Sequence, residues 1–297
     1  MTIFITGATG YIGGSIATRL VAAGHVVRGL VRTPEKVEQL ARTGVQPVLG
    51  SLDDVLILTR EASAADAVIN AADSDHSGAV ETLINALAGS DKPLLHTSGS
   101  SIVSDNAHGD IASTQIFDDH MSFVPAAEKV ARWAIDRLVI DAGQRGIRAA
   151  VLCNTMVYGI GTGLHRESVQ IPRLMNWARK SGTVRYIGRG ANIWSNVHIE
   201  DVADLYLAAL QHRSLSGLYF VENGEASFRQ IGEAIALRLG LGEPRSWPFD
   251  EAAEELGHVS AAYTFGSNSR VRAVRARSEL GWRPKHPSLI EWIKLEG

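Results

Sequence analysis

The stretch "TGATGYIG", residues 6–13, sets Gly7, Gly10 and Gly13 three apart, directly behind a short apolar run, Ile3–Thr6. Residues 11–24 carry Ile12, Ile16, Leu20 and Val21 at helical spacing, and Gly24 supplies a stop. A second apolar strand, residues 25–32, follows. Strand, glycine turn, helix and strand within about 30 residues make a βαβ crossover. In that setting each glycine has a task. Gly7 permits a tight turn out of the strand, Gly10 lets a pyrophosphate approach the backbone, and Gly13 lets helix and sheet pack closely. Thr9, Tyr11 and Ile12 complete the loop, whose helix N-terminus offers free N–H groups to phosphate. The context, not the glycine count, makes this a dinucleotide-binding turn.

Working outward, the alternation continues. Helical stretches at 34–43, 56–64, 78–89 and 122–138 interleave with strands at 45–52, 67–72, 93–98 and 148–159. Repeated β–α units with apolar strands predict an α/β fold, a Rossmann-type doubly wound parallel sheet covered on both faces. The sheet domain spans residues 1–160 with a return segment at 195–222. Residues 161–194 and 223–297 form a smaller C-terminal substrate-binding part in one intimate body with it. Helices are expected at 170–182 and 227–240, with a strand running into a helix at 195–213.

Composition bounds the function. The chain has 297 residues, 45% hydrophobic and 21% charged, as expected of a globular protein able to bury a large core. One cysteine, Cys153, excludes an intrachain disulfide and fits a cytoplasmic protein. A formal charge of −3 without basic clustering argues against a nucleic-acid partner. No apolar run approaches the roughly 20 residues of a membrane helix, and no signal peptide is expected. The ten histidines show no i, i+4 pairing, so no metal site is expected.

The glycine spacing behind Thr6 resembles the short-chain dehydrogenase/reductase superfamily. "VYG" at 157–159, "NVHIEDVADLYLAAL" at 196–210 and "ARSELGWRPKHPSLIEWI" at 276–293 resemble its extended branch of NAD-dependent epimerases, dehydratases and reductases. The resemblance covers nearly the whole chain. In that family an acid at the end of the second strand binds the ribose of NAD. Here Arg32 stands in that place and Lys36 follows a turn later. A guanidinium holds a 2′-phosphate by paired hydrogen bonds, so NADP is the preferred cofactor and NAD the alternative. The resemblance places Leu52, beside Ser51, against the adenine, Ala71 and Ala72 along the cofactor's middle, and Thr97 on the fifth strand.

The family's proton chemistry uses a Ser or Thr after the fifth strand, a tyrosine, and a lysine four residues beyond the tyrosine. Lys129 matches the lysine, with a cofactor and catalytic role. Pro125 stands where the tyrosine belongs, and proline has no proton to give. Gly99 falls at the Ser/Thr position; a shift of one residue makes Ser100 the candidate, with Ser101 beside it. Glu128 and Arg132, four apart, are expected to pair on the helix surface. Three readings follow. The chain is an NADP(H)-dependent reductase of a carbonyl, imine or activated alkene in a small molecule. Its proton then comes from Lys129, a water on Lys129, His120, Tyr158 or His165. Alternatively it is a non-catalytic dinucleotide sensor, or a nucleotide-sugar epimerase or dehydratase, where Arg270, Arg272, Arg275 and Arg277 would meet a diphosphate. Ser101, His120, His165 and Trp194 are candidate substrate contacts, and Asp201 reads as a helix N-cap. A homodimer through two sheet-edge helices is what the resemblance implies.

Overall fold

The structure, a computed structural model, describes residues 1–286 and 288–295. Pro287, Glu296 and Gly297, which belong to the expected C-terminal part, lie outside the described residues. The expected alternation forms. β1 (Thr2–Thr6), α1 (Tyr11–Ala22), β2 (Val26–Val31), α2 (Val37–Ala41), β3 (Gln46–Leu49), α3 (Val55–Ala64), β4 (Ala67–Asn70), α4 (Ser77–Leu87) and β5 (Pro93–Gly99) follow in turn. A long loop with a two-residue strand, β6 (Phe117–Asp118), leads to α5 (Val130–Asp141) and β7 (Arg148–Asn154). Shorter elements complete the chain: β8 (Met156–Tyr158), α6 (Gln170–Ser181), β9 (Arg185–Ile187), β10 (Ile193–His198), α7 (Ile199–Gln211), β11 (Gly217–Val221), β12 (Glu225–Ser227), α8 (Phe228–Leu239), β13 (Arg245–Trp247), α9 (Phe249–Leu256), β14 (Val271–Arg272), α10 (Val274–Ser278) and α11 (Leu289–Leu295).

Seven parallel strands make the central sheet in the order β11-β7-β5-β4-β1-β2-β3. Side chains alternate between its faces, so one strand feeds two cores. Ile3, Ile5, Leu95 and Leu152 pack under α1 and α7, with Leu20, Leu205 and Tyr206. Phe4, Leu94 and Val151 pack under α3, α4 and α5, with Leu58, Leu83 and Val139. A third core lies in the C-terminal part and gathers Met156, Tyr158, Trp194, Phe228, Ile231, Trp247 and Phe265. The strand order reverses between β1 and β4, the switch point where open α/β sheets bind ligands. No helix among the described residues is long and apolar enough to cross a membrane.

Three local expectations need correction. The helix read from residue 122 begins as a 3-10 turn at Ala127–Lys129, and α5 itself starts at Val130. Pro125 holds Val124 extended and donates no N–H, so helix cannot run through it. The strand read across 148–159 breaks at Thr155, whose N–H and hydroxyl both donate to the Val221 carbonyl (3.3 and 2.8 Å). That turn takes the chain out of the main sheet to pair β8 with β10. Asp201 is not the cap of α7. His198 is, its ring accepting from the Glu200 N–H, while the Asp201 carboxylate takes the N–H groups of Lys285 (2.7 Å) and His286 (3.0 Å).

The turn after β1 leaves no slack. A Cβ on Gly13 would stand 2.3 Å from the Gly7 carbonyl oxygen. Gly13→Ala is therefore expected to destabilise the protein by about 1–3 kcal/mol, read from urea denaturation. An unchanged midpoint would show that helix and loop do not need their close approach.

Candidate active site

A groove of about 440 Å³ opens over the carboxyl ends of the sheet strands. It is lined by Gly7, Thr9, Gly10, Leu30, Arg32, Ser51, Leu52, Asp53, Ala71, Ala72, Asp73 and His76. Gly7 adopts φ +74°, and a Cβ there would sit 2.3 Å from the Ala71 carbonyl oxygen, so loop and β4 end meet backbone to backbone. The first turn of α1 holds no acidic residue, which leaves its N–H groups and positive dipole end for an anion. Arg32 is exposed, and its guanidinium makes no hydrogen bond or ion pair among the described residues. Arg28, by contrast, is committed to Glu61 at 2.6 Å. Lys36 is exposed on the next 3-10 turn. Three expected cofactor residues point elsewhere. The Tyr11 phenol donates to the Gly159 carbonyl (2.9 Å), Ile12 packs on the α1–α7 core, and the Thr97 hydroxyl meets that of Tyr206 at 2.8 Å.

Lys129 stands half-buried at the foot of α5, among Asp75, Glu128 and Arg132. Burial, and then the Arg132 charge, push its ammonium below the ordinary lysine range. Arg132 does not pair with Glu128, because α5 starts beyond Glu128. Instead its Nε and Nη2 grip the Asp75 carboxylate at 2.8 and 2.5 Å. Its Nη1 lies 3.7 Å from where a Cβ on Gly99 would stand, so a guanidinium occupies the neighbourhood in which the resembled family places a serine. Ser100 does not reach this space. It is buried, and its Oγ lies 2.8 Å from that of Ser269. Ser101 is partly exposed on the turn that follows β5.

The remaining candidates are scattered. His120 is exposed at the β11 edge, where its charged neighbour is Glu279, and not beside Lys129. His165 is exposed on a loop closed by the Gly161 N–H to the Arg166 carbonyl. The Tyr158 phenol donates to the His286 carbonyl at 3.2 Å. Trp194 is 5% exposed, and its indole N–H donates to the Ser267 carbonyl at 2.8 Å, so it is core and not a substrate contact. The arginine cluster is neutralised. Arg270 and Arg272 share Glu225, Arg277 holds Glu222, and Arg275 holds Glu279.

Two groupings had no sequence signal, because their members are far apart along the chain. A buried polar chain runs beneath the groove. The Thr6 hydroxyl donates to Asn70 (2.5 Å), and the Asn70 amide lies 3.1 Å from His96 Nδ1. His96 Nε2 faces Asp136 at 3.6 Å, and the Ser98 hydroxyl donates to Asp136 at 2.8 Å. The second grouping is at Lys129. Its ammonium lies 5.6 Å from the ring centroid of Tyr263, whose phenol donates to Glu128. Elsewhere His198, Glu200 and His286 come together. Their ligand atoms lie within 4.8 Å of one another, and the two imidazoles stack with ring centroids 3.8 Å apart.

The model of the NAD dependent epimerase/dehydratase family matches residues 3–219. A protein of Acremonium sp named oxidase ucsJ is 32% identical, over 99% of this chain and 95% of its own. A Stigmatella aurantiaca protein named 4-hydroxy-2-methyl-3-oxo-4-farnesyl-3,4-dihydroquinoline-1-oxide ketoreductase is 24% identical, over 100% of this chain and 97% of its own. Among solved structures, the UDP-glucose 4-epimerase of Thermotoga maritima is alike in fold, with a TM-score of 0.78 at 19% identity, over 99% of this chain and 97% of that one.

The buried chain carries a pH signature. Burial pushes the Asp136 carboxyl up to about 7, while Ser98 and Arg132 draw it down. A folded carboxyl that keeps its proton where the unfolded chain has lost it contributes less to stability as pH rises from about 4 to about 7. Asp136→Asn lacks that slope. Its stability relative to the parent should rise by roughly 2 kcal/mol between pH 5 and pH 8 in urea denaturation. A difference independent of pH would contradict the raised carboxyl.

Proposed function

The chain belongs to the NAD dependent epimerase/dehydratase family, an extended branch of the short-chain dehydrogenase/reductase type, and from that premise we propose that it is an NADPH-dependent reductase of a small molecule carrying a carbonyl, imine or activated alkene. One observation carries the choice of cofactor: the unpaired Arg32 guanidinium at the end of β2, at the rim of a groove built for a pyrophosphate. A solvated cation with no carboxylate to answer is suited to a 2′-phosphate. The residues fit a dinucleotide from end to end. Gly7 and Gly10 leave the backbone bare, α1 presents N–H groups, and Ala71 and Ala72 keep the middle of the groove shallow.

When bound, the nicotinamide supplies a hydride. The chain's own residues then have two tasks. Lys129 anchors the nicotinamide ribose and lends positive charge to the reacting oxygen. Arg132, held by Asp75, keeps a second cation beside the Gly99 turn and favours a substrate that develops negative charge there. The Stigmatella relative, named for reducing a ketone, supports the reductive direction. The carboxylates on Arg270, Arg272, Arg275 and Arg277 disfavour a diphosphate substrate. The exposed stripe Val130, Ala131, Ala134 and Leu138 on α5 supports a homodimer through that face. The lone buried Cys153 supports work in a reducing compartment, the cytoplasm.

The test is oxidation of NADPH and NADH against a panel of ketones, aldehydes, imines and enones. Arg32→Asp is expected to invert the preference from NADPH to NADH; an unaltered preference rejects the role of Arg32. Lys129→Ala is expected to weaken NADPH binding by tenfold or more, on the order of one charge-assisted hydrogen bond, and to lower turnover with it. Unchanged kinetics would sink the role given to Lys129.

A further inference from the structure

The loss of the tyrosine before Lys129 leaves the reductase without its usual acid, and the structure offers a phenol from another direction. Tyr263 lies on a π-helical turn, Ser260–Phe265, in the C-terminal part. Such turns are rare and frequently mark functional sites. The Tyr263 ring is buried, with 8% of the residue exposed, and the Lys129 ammonium lies 5.6 Å from its centroid. Its hydroxyl reaches the carboxylate of Glu128, the residue next to Lys129. Other phenols are committed away from Lys129: Tyr11 to Gly159, Tyr158 to His286, Tyr206 to Thr97, and Tyr219 to Glu279.

We propose that Tyr263, which the C-terminal part sets against Lys129, is the proton donor of this enzyme, standing in for the phenol that Pro125 cannot supply. The proposal rests on the reductase reading above. In the step, the carbonyl carbon gains the hydride and the C=O π pair moves onto oxygen. That oxygen takes the proton of Tyr263 Oη, so ketone becomes alcohol. The phenolate left behind is stabilised by Lys129 and regains a proton from water at the exposed Glu128 edge. In the resting protein the Tyr263 phenol donates to Glu128, and that carboxylate pushes it up to about 12, so the phenol must leave Glu128 and turn to the substrate oxygen beside the Lys129 charge before it can donate.

The experiment separates this proposal from the reading beneath it. NADPH binding to the wild-type protein is measured first by fluorescence; no binding would overturn the reductase reading and the proposal together. The chain has six tyrosines, so ring-labelled [13Cζ]tyrosine NMR resolves them, and Y263F identifies the Tyr263 resonance by its loss. Saturating NADP+ is expected to move that resonance and lower its titration midpoint by a unit or more. Tyr263→Phe is expected to bind NADPH within about twofold of wild type while losing at least a hundredfold in kcat on any substrate found in the panel. A Tyr263 signal indifferent to NADP+, in a protein that binds it, overturns the proposal even where no substrate is known. So does a Y263F enzyme with undiminished kcat. A role confined to tying Glu128 to the C-terminal part would lower stability in Y263F and leave kcat and the NMR response as they were.

Discussion

Gly7 is where backbone meets backbone, and the rest of the site depends on that contact. Its left-handed turn brings the loop against the Ala71 backbone with no room for a side chain on Gly7. The Thr6 hydroxyl locks the approach from below, donating to Asn70 and accepting from the Ala71 N–H at 3.2 Å. The carboxyl ends of β1 and β4 are thereby fixed together at the switch point of the sheet. The helix that follows must then start within reach of that seam, with its N-terminus aimed into the groove. The groove over the strand ends is the direct consequence of a turn too tight for anything but glycine.

The same seam reaches the chemistry. From Thr6 the polar chain passes through Asn70 and His96 to Asp136 on α5, the helix that also carries Arg132 and begins beside Lys129. Its last link is open: His96 Nε2 and Asp136 Oδ1 face each other at 3.6 Å with no hydrogen-bond partner among the described residues, and Asp136 is held to β5 through the Ser98 hydroxyl. The C-terminal part is fastened to the same frame at several points. Asp105 binds the Asn268 backbone and amide at 2.8 and 2.9 Å, Asp201 holds residues 285 and 286, and Arg277 holds Glu222 at 2.9 Å. Tyr263 is delivered to Lys129 by that fastening, not by any local preference of its own segment.

Legibility followed locality. The glycine loop and the strand–helix alternation were readable because they lie within single βαβ units, where spacing and residue type determine geometry. Readings that turned on a single helix boundary failed. Pro125 postponed α5, so Glu128 lost Arg132, and His198 took the cap expected of Asp201. Trp194 was ambiguous in the sequence because a large aromatic suits both core and pocket; its indole partner, Ser267, lies 73 residues away. Tyr263 was invisible for the same reason, since 135 residues separate it from Glu128 and only the folded C-terminal part brings them together.

The central claim is that the groove is built for a dinucleotide bearing a 2′-phosphate. Equilibrium binding of NADPH and NADH to the wild-type protein, at low and at physiological salt, tests it most directly. The account predicts NADPH tighter than NADH by tenfold or more, with the advantage shrinking as salt screens the exposed Arg32. Equal affinities, or NADH the tighter, would contradict it.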